Sequence, residues 1–588
     1  MKTPTDAFRL NIASAISASI TKSFSLELQP EDCAGDLAPA PNLDLGHIAF
    51  PCFKFSKALK KSPKDIATQL AADWVDTPFV LKVKAAGPYL NLFLKPEYFA
   101  ETVLTPMRKN EYFAIPKDEK EAPFLIEYSQ PNTHKELHVG HMRNLCYGLS
   151  LISLYRYCGH NVISCTFPGD VGTHVAKCLW YMKNHNQEQP PAEGKGQWLG
   201  KMYTLANNKL EDEKGSDKED GNREQLTAIL QQLEKGEGPD YDLWKETRQW
   251  SIDLMESVYD WAGVEFDHWY WESDVDSTSV DLVKGLHKKG LLVEDQGAVG
   301  LHLDEKKLGF CLLLKSDGNG LYSTKDLELA RRKFAEFSPQ KNIVIVDMRQ
   351  ELHFRQVFAA FEKLGLGDAE KCIHLKYNFV ELPDGAMSSR KGNIVPISEL
   401  IENMKQTIKT DYLARYTESW STEDIEKTAD TVAQGAIKYG MNRMDPNKKI
   451  VFDMKEWLRL DGESGPYVQY AHARICSLLE KLGNPESSAE SQSIDWSLLV
   501  EGPEVALMVQ LASFQVSMQK ALVAYKTSSI CSYAYDLAKS FNSFYQACPI
   551  GKIDNKDLAN ARLALVDATR MALEKSLGLL AIPAPQKM

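Results

Sequence analysis

Residues 129–141 read Ser-Gln-Pro-Asn-Thr-His-Lys-Glu-Leu-His-Val-Gly-His. They lie between an apolar run at 123–128 and a stretch whose apolar positions, Leu145, Leu149, Ile152 and Tyr155, follow helical spacing. The order strand, polar turn, helix confines the chain to α/β folds in which a parallel sheet carries its ligand at the strand ends. His138 and His141 then sit at or near the first turn of a helix, where unpaired N–H groups favour an anion such as a nucleotide triphosphate. No GxxxxGK[ST] segment occurs, which disfavours a P-loop enzyme. The histidine pair by itself also suits a zinc site or plain capping and packing. A zinc site needs a third and usually a fourth ligand, and the eleven cysteines form no CxxC pair and no Cys/His cluster nearby, so no protein-held metal is expected.

A chain of 588 residues exceeds what one core organises, so several domains are expected. With 44% hydrophobic and 25% charged residues it has the balance of a soluble globular protein, and no membrane is expected because no apolar run reaches the roughly 18 residues of a span. The N-terminus, with Lys2, Asp6 and Arg9, lacks the apolar segment of a secretory signal, and an odd number of cysteines without framework spacing fits a reducing compartment. A cytoplasmic location is the expectation. Lys and Arg total 68 against 80 Asp and Glu; the net charge of −12 argues against generic coating of nucleic acid but leaves room for a local basic face.

Along the chain, residues 1–115 form a small α+β module: a helix, a Pro-rich loop near 30–41, helical patterning around 55–72, and strand-like runs at 79–85 and 89–94. The α/β region follows over 116–395, interrupted near 184–242 by a stretch rich in Lys, Glu, Gly and Gln that is expected to be a solvated insertion. Residues 309–315 and 342–347 supply the later strands. From 396 to 588 helical periodicity dominates, which predicts an all-helical third domain.

A second anion-directed element is Asp384-Gly385-Ala386-Met387-Ser388-Ser389-Arg390-Lys391-Gly392-Asn393, a glycine-flanked loop with two cations and two adjacent hydroxyls. Such a loop can close on charge that develops only in a transition state. His-Val-Gly-His after the first strand and Met-Ser-Ser-Arg-Lys-Gly-Asn after the last resemble the HIGH and KMSKS signatures of class I aminoacyl-tRNA synthetases. The closest likeness is to the arginyl-tRNA synthetase family. Segments 127–144, 169–172, 266–273, 316–326, 346–358 and 464–474 carry it, with Gly87-Pro88-Tyr89-Leu90-Asn91 in the first module and Ala561-Arg562-Leu563-Ala564-Leu565-Val566 near the terminal Met588.

The resemblance implies a Rossmann-type catalytic domain between an N-terminal tRNA-contacting domain and a helical anticodon-binding domain. It also implies ligation of L-arginine to tRNA(Arg) through an arginyl-adenylate, with pyrophosphate released, by a protein acting as a monomer. Arginine-binding positions of the family fall on Glu127, Asn132, Tyr322, Asp326 and Gln350, and their chemistry agrees: a guanidinium fork is best met by carboxylates and amide oxygens on rigid elements. ATP, with Mg²⁺ neutralising its phosphates, is expected against His138, Gly140 and His141 and the loop residues Met387, Ser388 and Ser389, with Gly140 leaving room for adenine. Aligned to KMSKS, Ala386 stands where the first lysine belongs, Ser389 at the second and Arg390 at the final serine. Some members of the family are altered alike and carry a lysine just before HIGH. Lys135 is therefore expected to replace the missing charge, with Arg390 or Lys391 sharing the task. For tRNA, the resemblance points to Tyr89 and Asn91 in the first module. In the last it points to Tyr467, Tyr470 and Arg474 on one helical face, to the pair Phe541 and Tyr545, and to Met588. Two rivals remain at this level: another HxGH adenylate-forming enzyme, and a synthetase-like binder that has lost catalysis.

Overall fold

The computed structural model describes residues 6–382, 385–386, 395–483 and 494–588. Packing divides it into two compact units, one of Met1–Pro116, Ser419–Arg443 and Lys455–Met588, the other of Lys117–Glu418 and Met444–Met454.

The second unit is built on a parallel sheet of β1 (Phe124–Glu127), β2 (Val162–Thr166), β3 (His268–Trp269), β4 (Lys341–Asp347) and β5 (Cys372–Tyr377). Their spatial order is β5-β4-β1-β2-β3, and each neighbouring pair is parallel. The chain winds outward from β1 to β2 and β3, then returns to lay β4 on the other side of β1. The winding therefore reverses between β1 and β4, and a crevice opens where their carboxyl ends part. Glu127 ends β1 opposite Val344 of β4, so the two strand ends meet this crevice together.

Helix α1 (Val139–Tyr157) follows β1, and most of it is buried, including polar Arg143, Asn144 and Ser150. Buried polar groups must be satisfied. Asn144 accepts from Ser129 N at 2.6 Å and donates to Ile345 O at 2.8 Å, so it ties the segment after β1 to β4 across the crevice. Arg143 donates to Asn378 O at 2.6 Å and Pro446 O at 3.2 Å, holding the segment after β5 against residues 444–454. Gly148 lets α1 approach the sheet: a Cβ there would lie 2.3 Å from the ring of Tyr128.

The expected solvated insertion is folded. Helices Lys195–Asp212, Glu219–Lys235 and Pro239–Ala262 cover Thr173–Asn184, with Trp180, Leu199, Met202, Ala206, Ile229 and Trp244 buried among them. Its polar residues occupy outer faces, so composition concealed an amphipathic pattern. After β3 come a three-stranded antiparallel sheet (Val293–Asp295, Ala298–His302, Phe310–Leu314), α2 (Tyr322–Phe337), β4, α3 (Glu351–Lys363) and β5. Residues 396–418 group with this unit: Val139 N donates to Val395 O at 3.0 Å and Ile397 N to Leu137 O at 2.9 Å, pinning them to the start of α1. Ile450–Val451 adds a short strand beside Val380–Leu382 in a stretch expected to be helical throughout.

In the first unit, a four-stranded antiparallel sheet is ordered 38–39, 48–51, 89–94, 80–86. Ile48–Pro51, unannounced by its sequence because four residues cannot display an alternation, lies inside that sheet and is mostly buried. Helices Gly465–Leu482, Ser528–Ala547 and Lys556–Leu579 pack on one another, and Arg108 pairs with buried Asp567 at 3.4 Å.

Gly148→Ala, which forces a methyl into the Tyr128 ring, is expected to destabilise the second unit by about 1–3 kcal/mol, read as a lower urea midpoint.

Candidate active site

The crevice at the switch point encloses about 840 Å³. The turn after β1 contributes Asn132, His138 and His141; β1 contributes Glu127; α2 contributes Tyr322 and Asp326; the turn after β4 contributes Gln350. All five expected arginine-binding side chains therefore line one cavity with both histidines.

His138 is the N-cap of α1, and the two imidazoles cap reciprocally. His138 Nδ1 accepts from Gly140 N and His141 Nδ1 accepts from His138 N, both at 3.1 Å, with ring centroids 3.9 Å apart. Because each Nδ1 is an acceptor, the ring proton of each neutral imidazole resides on Nε2. Burial foremost, with Lys135 nearby, pushes His138 down to about 4 and His141 well below the ordinary histidine value. At neutral pH the pair presents uncharged N–H donors to the cavity. A Cβ on Gly140 would meet His138 Cε1 at 2.9 Å and Nδ1 at 3.0 Å, so the capping ring occupies the place a side chain would take.

The carboxylates are also committed. Glu127, 3% exposed, forms a buried ion pair with Lys333 of α2 and accepts from Gln130 Nε2 at 3.0 Å. Burial works against the charge of Lys333, but Glu127 and other anionic neighbours outweigh it and raise its pKa. Asp326 Oδ2 accepts from His353 Nε2 at 2.5 Å. Sequence reasoning missed both partners, although Lys333 lies seven residues after Asp326 and hence on the same helical face. Asn132 is placed by the turn beyond β2. Gly169 N donates to Pro131 O at 3.0 Å, Thr133 N to Gly169 O at 2.8 Å, and a Cβ on Gly169 would reach Asn132 Oδ1 at 2.5 Å. The neighbouring Asp170, fully buried, accepts from Arg248 Nε at 2.7 Å and Ser273 N at 2.9 Å, while Arg248 lies 4.0 Å over the Trp271 ring.

Lys135 lines an adjoining cleft of about 910 Å³ with Lys177, His174, Lys315 and Lys325. Its Nζ lies 5.0 Å over the Tyr203 ring. Tyr322 and Glu272 border both cavities. Met387, Ser388, Ser389, Arg390 and Lys391 lie outside the described residues.

Among the tRNA candidates of the first unit, Tyr89 is exposed and edge-on to Phe53 at 5.7 Å, whereas Asn91 is buried. Tyr470 is exposed, Tyr467 Oη accepts from Asn542 at 2.9 Å, and Arg474 lies 4.3 Å over Tyr545, joining the two helices expected to act together. Phe541 is fully buried and packs in the core, because its helix turns that side inward; Met588 is half-buried.

Three family models match the chain: the arginyl tRNA synthetase N terminal domain at 10–94, the catalytic domain of class I (R) tRNA synthetases at 104–454, and the DALR anticodon binding domain at 468–588. Over 584 residues it is 53% identical to the arginine–tRNA ligase of Bdellovibrio bacteriovorus, covering 99% of each chain. Over 561 residues it is 32% identical to that of Treponema denticola, covering 92% of this chain and 93% of the relative. Among solved structures it is similar to Thermus thermophilus arginyl-tRNA synthetase, with TM-score 0.81 and 26% identity over 99% of this chain and 100% of the other.

Unfolded histidines titrate near 6.5, so between that pH and about 4 the unfolded chain takes up protons that folded His138 refuses. The stability contribution of the buried neutral form is present above 6.5 and is lost as pH falls. Nitrogen NMR of His138 is expected to report the Nε2–H tautomer down to pH about 4, with the urea midpoint declining across the same window.

Proposed function

The chain belongs to the arginyl-tRNA synthetase family, and from that premise we propose how its own residues perform the arginine–tRNA ligase reaction. The enzyme activates L-arginine with ATP to arginyl-adenylate and pyrophosphate, then transfers arginine to the 3′-terminal ribose of tRNA(Arg). The observation that carries the reading of the site is the meeting, in one crevice, of two neutral histidine donors with the braced carboxylates Glu127 and Asp326.

Glu127 and Asp326 receive the guanidinium, with Tyr322 closing over it, while Asn132 and Gln350 orient the α-amino and carboxylate end. Lysine is rejected because a point charge leaves part of this acceptor set unsatisfied. The arginine carboxylate attacks the α-phosphorus and the bond to pyrophosphate breaks. His138 and His141 donate Nε2–H to phosphate oxygens as charge moves toward the leaving group. Their depressed pKa values make them electrostatic stabilisers rather than proton donors. Lys135, whose charge is felt at both histidines, stands in for the missing lysine of the second signature, with Arg390 and Lys391 assisting. Mg²⁺ is read as arriving with the triphosphate as part of the substrate, where it would neutralise phosphate charge.

In the second step the ribose 2′-hydroxyl attacks the activated carbonyl of arginyl-adenylate, the bond from that carbon to the adenylate phosphate oxygen breaks, and AMP leaves with the hydroxyl proton passing to its phosphate. The adjoining cleft, with Lys177 and Lys315 on its wall and Tyr322 shared with the crevice, suits the phosphates of an incoming single-stranded 3′ end. Tyr89 in the N-terminal module and Tyr467, Tyr470, Arg474 and Tyr545 on helices Gly465–Leu482 and Ser528–Ala547 are the surfaces offered to the rest of the tRNA. Among the described residues no helix is long and apolar enough to cross a membrane; action as a monomer in the cytoplasm is read from the family likeness.

The test is arginine-dependent ATP–pyrophosphate exchange with and without tRNA, alongside Lys135→Ala. Exchange that requires tRNA and falls at least about tenfold in the variant, a loss of roughly 1.4 kcal/mol of transition-state binding, is expected. Exchange supported by another amino acid instead of arginine overturns the substrate reading; an unaffected variant overturns the role of Lys135. Glu127→Gln is expected to raise the arginine KM by about tenfold or more while leaving the ATP KM nearly unchanged.

A further inference from the structure

We propose that His353 is the positioning residue that presents Asp326 to the arginine guanidinium. This rests on the reading of Asp326 as a guanidinium ligand. The two carboxylates of the crevice differ in how they are held. Glu127 is buried at the end of a central strand, and Lys333 and Gln130 occupy one oxygen each. Asp326 stands in the second turn of α2, with its side chain 18% exposed on the wall of the crevice. Among the described residues its carboxylate accepts from His353 Nε2, 2.5 Å from Oδ2. Since a carboxylate only accepts, His353 is the donor; it fixes the plane of the carboxylate and leaves Oδ1 for a guanidinium N–H.

His353 is itself held on rigid elements. It lies in the first turn of α3, with its ring perpendicular to that of Phe354 at 5.0 Å. Phe354 in turn lies 4.9 Å from His374 of β5, whose Nε2 donates to Val346 O of β4 at 3.2 Å. The chain of contacts therefore runs from the sheet edge of the crevice to the oxygen that must not move. Fork recognition depends on orientation as well as on charge, so a misplaced Asp326 loses arginine affinity.

The experiment compares full-length His353→Leu, which removes the donor, with His353→Gln, whose amide N–H reaches about as far as Nε2, using Asp326→Asn as reference. KM values for arginine and ATP are read by pyrophosphate exchange, and urea midpoints for all three. Expected are an arginine KM raised about tenfold in His353→Leu with the ATP KM within about twofold, and recovery of most of that loss in His353→Gln. An unchanged arginine KM in His353→Leu, equal rises for arginine and ATP, or no recovery in His353→Gln overturns the positioning role. If His353→Leu does not fold, the Gln variant decides alone: near-normal arginine KM supports the role and a tenfold rise overturns it. Asp326→Asn distinguishes the premise: if it leaves the arginine KM unchanged, the guanidinium reading itself fails.

Discussion

A parallel sheet that winds both ways from its centre must part its strand ends somewhere, and here it parts between Glu127 and the end of β4. Everything functional in the second unit is arranged around that gap. Strand ends at a switch point carry polar backbone groups that no crossover helix covers, so they must be satisfied by side chains or by ligand. Asn144 does this from inside α1, joining Ser129 on one side to Ile345 on the other, and so sets the width of the crevice at the point where the helix begins. The reciprocal histidine caps, the turn at 131–133 and the segment at 395–397 all hang from that helix start.

The second organising feature is that charge in the crevice is paired before substrate arrives. Glu127 with Lys333, Asp326 with His353, and Glu272 with Lys325 at 2.7 Å are fixed on strands and helices rather than on loops. A buried ion pair is weak evidence for stability, since desolvation offsets most of the attraction. Its value here is orientation: each carboxylate is held in a fixed place on the wall of the crevice. The histidines follow the opposite logic. Buried and uncharged, they offer donors without adding net positive charge to a site that must release pyrophosphate.

How much of this could be read from residue order depends on distance along the chain. The strand at 124–127, the helix beginning at His138 and the strand at 341–347 are local patterns, and they stand where periodicity placed them. The folded insertion at 184–242 was hidden because lysine and glutamate dominate its composition while Leu199, Met202 and Ala206 carry its core at helical spacing. Glu127, Asn132, Tyr322, Asp326 and Gln350 were identifiable by type and by likeness to a family, but their partners were not. Nothing in residue order links Glu127 to Lys333 or Asp326 to His353, which are brought together only when α2 and α3 pack beside the sheet. Phe541 shows the converse: its i, i+4 spacing with Tyr545 looked like a binding stripe, and packing turned it inward.

Residue order alone therefore determined the class of fold, the position of the helix start that His138 and His141 cap, and the side-chain types available around it, because these depend on short-range periodicity, capping and side-chain type. Only tertiary structure decided which cavity each group faces. It placed Lys135 on the wall of the neighbouring cleft and supplied each carboxylate with its partner. It also filled the room left by Gly140 with the ring of His138. These outcomes depend on contacts between segments far apart in the chain, whose geometry exists only once the sheet has reversed its winding and the helices have closed over it.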